Sequence, residues 1–398
     1  MWENQCHAGK GQQVLVEIGF WICLGLVIYI YAGYPMAVFL LARFINRDVR
    51  KADIEPKVTV LIAAFNEERE IERMVLNKLS QDYPSGCLEV IVISDGSTDR
   101  TDAIVEDLAR RYEGRLRFQR QEPRQGKTQA LNKAVILATG DILVFADANS
   151  IYSPDAIRRL VRGFADPSVG YVTGQMIYMS PDGFGIAEGS GAYMRYENLL
   201  RILETRLNSI VGVDGGIDAV RRELYVPMRP DQLPDFVLPL SVVEQHKRVV
   251  YEPEALLYEP ALSVAADEFR MRVRVSLRAL WALQDKRSLL NPFHYPLFAW
   301  QLLSHKVLRY GAFIPLIGVL VCNGLVVGNH PLYLGFFVMQ FAFYTCAALG
   351  HLLSRLPAVP SKMLAPYYFF LLNVACAVAL WKFINRQKMV LWKPRVGN

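Results

Sequence analysis

Charge is scarce in this chain and cysteine patterning is missing. Only 21% of the 398 residues are charged, against about 25% in ordinary soluble domains, while 52% are hydrophobic. That balance excludes a disordered or fibrous chain, and also a small disulfide-stapled domain. The six cysteines (Cys6, Cys23, Cys87, Cys322, Cys346, Cys376) form no CxxC and no Cys/His cluster. Four of them lie in apolar runs, so neither a disulfide framework nor structural zinc is expected. The net charge of +6 is not gathered into one basic stripe, which argues against a nucleic-acid partner. No phosphate-binding glycine loop is complete either. Gly126-Lys127-Thr128 resembles the end of a P-loop, but Gln121 stands at the required upstream glycine. Gly183-Phe184-Gly185 lacks a following glycine at the spacing of a dinucleotide fingerprint.

What the chain does have is long apolar runs. A bilayer core of roughly 30 Å takes about 20 apolar residues in a helix, and residues 18–42, 310–328, 331–350 and 364–381 qualify. The last is the weakest, being shorter and holding Asn373. The first is too long for a cleaved signal peptide and lacks a basic leader, so it reads as an anchor. Arg43, Arg47, Arg50 and Lys51 follow it, which places residue 43 onward in the cytoplasm of a multi-pass inner (plasma) membrane protein. Four crossings would then leave the tail outside, although it carries Lys382, Arg386, Lys388, Lys393 and Arg395. Either the last segment is re-entrant or interfacial, or the charge bias is overridden. The expected organisation is an anchor (1–43), an α/β domain (52–265), interfacial helices (266–309), C-terminal membrane helices (310–385) and a basic tail (386–398).

Between Lys51 and Ala265, β-branched runs alternate with helical-period stretches, the pattern of βαβ units and a mostly parallel sheet. Strands are predicted over 58–64, 88–95, 115–120, 141–147 and 169–177, and helices over 67–79, 101–112, 128–138 and 154–164. Ligands bind beyond the carboxyl ends of such strands. Three of those ends are polar or acidic: Phe65-Asn66-Glu67-Glu68, Asp95-Gly96-Ser97-Thr98-Asp99 and Asp147-Ala148-Asn149-Ser150. Asn66, Ser97, Thr98, Ser150 or Ser153 would each serve as a helix cap, which is the plainer reading of any one loop. Three acidic loops on one sheet edge ask for more than capping. A nucleoside diphosphate-sugar needs groups for base and ribose, a divalent cation for its diphosphate and a base for the acceptor hydroxyl. Asp147 with Asn149 offers oxygen ligands for Mg²⁺ or Mn²⁺.

On these residues the chain resembles a membrane-embedded family 2 glycosyltransferase of the GT-A fold, the group that contains cellulose, hyaluronan and poly-N-acetylglucosamine synthases. The resemblance runs through Ala64-Phe65-Asn66-Glu67, the 94–99 loop, Gly126-Lys127 with Ala130-Leu131-Asn132, Asp147-Ala148-Asn149, Arg221-Arg222-Glu223-Leu224, and Asp235-Phe236 followed by Tyr251-Glu252-Pro253. It implies that Ala64, Phe65, Glu67, Asp95, Lys127 and Asp147 bind the nucleotide, that Asp147 and Asn149 hold the metal, and that Asp235 is the catalytic base. The alternative for Asp235 is a helix N-cap. It further implies a UDP-sugar donor, inversion at the anomeric carbon, and a saccharide or lipid-linked acceptor, with polysaccharide export partners as a further possibility. Departures stand at Asn149, neutral where a second acid is usual, at Pro234 before the base, and at the absent QxxRW signature of processive synthases. They also leave room for a non-catalytic, nucleotide-binding subunit of an export assembly. A nucleotidyltransferase is a third reading, poorly served by the anchor.

Residues 268–283 read as an amphipathic helix with Arg270, Arg274 and Arg278 along one stripe, meeting lipid headgroups or a diphosphate, or else forming an ordinary solvated face. His305 reads as a structural interfacial histidine rather than a ligand. The turn Asp214-Gly215-Gly216 lies, by the resemblance, along the acceptor path, and is otherwise a polar glycine turn.

Overall fold

The computed structural model describes residues 2–179, 188–260, 265–354 and 361–388. The helices are α1 (Trp2–Ile28), α2 (Tyr34–Phe44), α3 (Ile71–Leu79), α4 (Thr101–Arg111), α5 (Lys127–Leu137), α6 (Ala156–Arg162), α7 (Glu188–Leu207), α8 (Pro234–Glu244), α9 (Ala265–Asp285), α10 (Pro296–Leu302), α11 (Phe313–Val326), α12 (Pro331–Leu353) and α13 (Ser361–Ile384). The strands are β1 (Val58–Ala64), β2 (Leu88–Ser94), β3 (Leu116–Arg120), β4 (Ile142–Asp147), β5 (Ile151–Tyr152), β6 (Val169–Met179), β7 (Ile217–Arg221) and β8 (Arg248–Pro260). The Gly183-Phe184-Gly185 stretch lies outside the described residues.

All eight strands join one sheet in the order β3-β2-β1-β4-β7-β6-β8-β5. The half from β3 to β4 is parallel, whereas β7 runs antiparallel to both β4 and β6. β1 is buried along its whole length, as a strand covered on both faces must be, and its Val-Thr-Val-Leu-Ile run has no polar-out alternation. One face carries Val58, Val60, Ile62, Val90, Val92, Ile142, Val144 and Ile217 into a core closed by α3, α4 and α6. Gly140 allows the backbone to turn into β4, since an added Cβ would lie 2.6 Å from Thr59 N.

The chain divides into two units. The larger holds residues 38–263 and 278–300 and the segment from Gln387, so the residues of α9 are divided between the two. The other unit is helical. α1, one wider turn (Tyr29–Gly33) and α2 make a continuous apolar helix, whose residues from Val38 belong to the larger unit, and α12 and α13 are likewise long and apolar enough to cross a membrane. The stretch expected at 310–328 differs: α11 has 14 residues and is joined to residues Pro296–Tyr310 by a bend of 59° at Gly311-Ala312. The 364–381 segment, weak by sequence, is a full 24-residue helix in which Asn373 donates to the Phe369 carbonyl, so its amide is satisfied within its own helix. Phe20 packs edge-on against Tyr333. His305 is buried and lies against the Tyr34 ring.

Candidate active site

Parallel register brings the polar loops together. Ala64 pairs with Ser94, and Ala63 with Asp147, so β1, β2 and β4 end level at one sheet edge. The loops that follow are stitched to each other and to the first residue of α4. Asn66, at φ 55°, donates from its backbone N to Ser97 Oγ and accepts from Thr98 N. The Glu67 backbone N donates to Thr101 Oγ1. None of Asn66, Ser97, Thr98, Ser150 or Ser153 caps a helix: the cap positions are Glu70, Arg100 and Asp155, without side-chain cap bonds.

Asp95 is fully buried, and its carboxylate accepts from Gln121 Nε2 (2.6 Å), Gln125 N (2.9 Å), Gly126 N (3.0 Å) and Arg124 Nε (3.3 Å). It therefore folds the 121–126 loop back over the β2 end. That loop lays the Arg124 guanidinium 3.4 Å from the centre of the Phe65 ring, a flat cationic and aromatic surface. Gly126, at φ 92°, opens α5, and its neighbour Lys127 reaches Asp147 with Nζ 2.5 Å from Oδ1. Asn149 is half-buried two residues beyond Asp147.

Asp235 enters from α8. The helix starts at Pro234 after an extended Leu233, so Asp235 sits in its first turn and is not the N-cap. The loop before it is anchored by α5 and α9: Thr128 Oγ1 donates to the Gln232 carbonyl at 3.0 Å, Arg278 donates to the same carbonyl, and Asn132 Oδ1 accepts from Met228 N and from the Tyr225 hydroxyl. Opposite Asp235 is the turn at Gly215 and Gly216, both with positive φ. A Cβ on Gly215 would lie 2.8 Å from Asp235 Oδ2, and one on Gly216 would lie 3.4 Å from Asp147 Oδ2. The turn thus occupies the space between the two carboxylates, and only glycine fits there.

A third acid is unusual by sequence in the 212–218 stretch, but it is not among the nucleotide, metal or base residues expected there. Asp218 in β7 pairs across the sheet with Phe145 and Thr173, which puts it on the same face as Asp147. It is 1% exposed and neither carboxylate oxygen has a hydrogen-bond partner. Burial, then the charge of Asp235, pushes its carboxyl well above the usual range. Burial also raises Asp235, against the opposing charge of Lys127; Asp147 adds to the rise and Arg278 opposes it. Burial works against the Lys127 ammonium, but Asp147, Asp235 and Asp218 hold it well above its ordinary value. One ammonium thus faces three carboxyls, a pocket whose chemistry suits hard cations. Among the described residues no three His, Cys, Asp or Glu side chains converge to hold a metal by themselves. Beneath Asp147, the buried Lys78 donates to the Ser150 carbonyl and lies 4.1 Å from the Tyr152 ring centre, securing the 147–150 loop from behind.

A mostly parallel sheet with acidic loops level at its carboxyl edge is the GT-A arrangement. Over 93% of this chain and 99% of its own, the mannosyltransferase PcManGT from Pyrobaculum calidifontis, solved in complex with GDP-Man and Mn2+, superposes with a TM-score of 0.70 at 22% identity. Residues 59–225 match the family model described as glycosyl transferase family 2. The N-acetylglucosaminyltransferase of Rhizobium leguminosarum bv. trifolii is 30% identical over 124 residues, 31% of this chain and 68% of that protein. The beta-monoglucosyldiacylglycerol synthase of Nostoc sp. (strain PCC 7120 / SAG 25.82 / UTEX 2576) is 30% identical over 213 residues, 46% of this chain. The match spans 45% of that synthase's length. The chain belongs to glycosyl transferase family 2.

Proposed function

We propose that this protein is a membrane-bound inverting glycosyltransferase that moves one hexosyl unit from a nucleotide-sugar to a saccharide or lipid-linked acceptor, with Asp235 as the base. The observation that carries the reading is the placement of Asp235 and Asp147 on either side of the Gly215–Gly216 turn, with Lys127 beside Asp147. The Phe65 and Arg124 surface on the Asp95-tied loop takes the nucleoside together with Glu67, and Lys127 meets the diphosphate. Asp235 accepts the proton of the acceptor hydroxyl as that oxygen attacks the anomeric carbon from the side opposite the departing diphosphate, and configuration inverts. Its raised pKa keeps it a competent base without leaving it charged at strongly acid pH.

Asp147 and Asn149 would hold Mg²⁺ or Mn²⁺, with diphosphate oxygens completing a shell that protein groups alone do not fill. The ion supplies charge neutralisation for the leaving diphosphate. The membrane helices and the resemblance to a glucosyldiacylglycerol synthase support an acceptor presented at the bilayer surface. The test is nucleotide release by the detergent-purified protein across UDP- and GDP-sugars, with glycolipid and oligosaccharide acceptors, read by NMR for the anomeric configuration of the product. One donor giving an inverted product supports the reading; a retained configuration contradicts it.

The same reading extends to sidedness. Trp281 Nε1 donates to the Gln387 carbonyl, and Lys388 Nζ lies 2.6 Å from Asp231, within the catalytic unit. Chain leaving that unit at Trp300 and returning at Gln387 makes an even number of crossings. α12 and α13 supply two, so on this reading the bent pair Pro296–Tyr310 and α11, which bends by 59°, is a re-entrant loop and not a span. Three crossings in all leave the basic tail cytoplasmic, in accord with its charge. A reporter fused after Asn398 that is active only in the cytoplasm is expected to be active; activity of an exterior-only reporter contradicts this topology.

A further inference from the structure

Two consecutive glycines in the left-handed region, Gly215 at φ 81° and Gly216 at φ 75°, form the part of the site with the most backbone freedom. A turn that separates two functional carboxylates needs an outside constraint, and α7 provides one. Arg201 grips Asp214 with both terminal nitrogens, at 2.6 and 2.5 Å, in a fork-to-carboxylate pair whose side chains are only 7% and 8% exposed. The guanidinium also donates to Asn198 Oδ1 and lies over the Tyr251 ring. One turn further along α7, Glu204 Oε2 accepts from Val211 N. On the other flank the Tyr152 hydroxyl donates to the Gly216 carbonyl at 2.7 Å. The glycines are therefore held between a buried ion pair and a buried phenol, and their faces meet Asp235 and Asp147.

We propose that Arg201 is a positioning residue for the transfer reaction: by gripping Asp214 it fixes the glycine turn that sets where Asp235 stands relative to Asp147. The proposal rests on the reading of Asp235 as the base. Lysine cannot replace the residue, because an ammonium satisfies the carboxylate as a point charge and leaves the turn free to rotate about a single contact. Arg201 sits on α7, outside the polar loops at the sheet edge, so its substitution acts through the turn.

The experiment compares wild type, Arg201→Lys and the double variant Arg201→Met with Asp214→Asn, which removes both members of the buried pair and leaves no uncompensated charge. Nucleotide binding certifies that each variant is folded. Hydrogen exchange is read at peptides covering 211–217, and kcat and donor KM are read with the donor that the panel identifies. Exchange at the glycine turn is expected to rise about tenfold in both variants, with kcat falling about tenfold or more and donor KM staying within about threefold. Unchanged exchange overturns the proposal. So does faster exchange with kcat within twofold of wild type, since the pair would then be structural only. Should wild type release no nucleotide from any donor, the functional reading fails by itself, and the exchange comparison still decides whether Arg201 fixes the turn.

Discussion

Replacing Gly215 by alanine isolates the contact on which the site depends. The backbone there has φ 81°, which costs an L-residue about 1–2 kcal/mol. In addition, the new Cβ would stand 2.8 Å from Asp235 Oδ2 and 2.9 Å from its Cγ, so the carboxyl must withdraw by about 0.6 Å to reach an ordinary 3.4 Å contact. A displacement of 1 Å can cost about 100-fold in rate, so a loss on the order of tenfold in kcat is expected here. Gly114→Ala is the matched control. Its φ is 80° and an added Cβ meets nothing within 4 Å, so it carries the backbone strain without the contact. Thermal unfolding should show a similar loss of stability in both variants, and nucleotide titration should show unchanged donor affinity in both. Only Gly215→Ala should lose turnover per donor-binding molecule. Equal turnover in the two variants would refute the placement of Asp235 against the turn.

Two further predictions concern pH. Burial raises the Asp235 pKa, so the carboxyl loses its proton, as the proposed role of base requires, only as pH rises through a value above the ordinary 3.8. Arg278 favours the ionised form, so Arg278→Gln should move the acid limb of the kcat/KM profile to higher pH; an unmoved or lowered limb would contradict the coupling. Lys78 is depressed by burial to about 7, whereas in the unfolded chain it keeps its proton to about 10.5. Between those values the unfolded chain binds the extra proton, so stability rises with pH by up to about 1.4 kcal/mol per unit. Unfolding of wild type and Lys78→Met compared from pH 7 to 9 should show this rise flattened in the variant, and parallel slopes would refute it.

Much of the parallel half of the sheet was legible because its strands are unbroken β-branched runs ending in turn chemistry. Val58–Ala64 is the clearest case, and its end marks the site. In the other half β6 matches the strand predicted over 169–177, whereas β7 and β8 were not predicted. β7 is five residues long with Asp218 second in it, and β8 carries Glu252, Pro253, Glu254 and Glu259, so neither shows an unbroken β-branched run. Glu252 is in fact paired with Arg162 and Lys51, a long-range partnership that no local pattern reveals. The carboxylates at strand ends were visible as residues, but the function of Asp95 as the tie of the 121–126 loop depends on three-dimensional closure. Asn132 stood out as part of a motif, and its work is to anchor the segment leading to Asp235. In the helical unit the apolar run at 310–328 is visible in composition, but the bend at Gly311-Ala312 is not, because composition carries no backbone geometry. Arg201 had no local signal, since a buried arginine is recognised only when its partner thirteen residues away is placed beside it.

The most direct test of the account is Asp235→Asn in the purified full chain, with the donor that wild type uses and its acceptor, followed through a single turnover. The amide keeps the shape of the carboxyl and removes its basicity. The account predicts that donor binding stays within about threefold of wild type while the transfer rate falls by about 100-fold or more. Transfer at a rate near that of wild type, with the same donor affinity, would show that another group takes the acceptor proton and would contradict the central assignment.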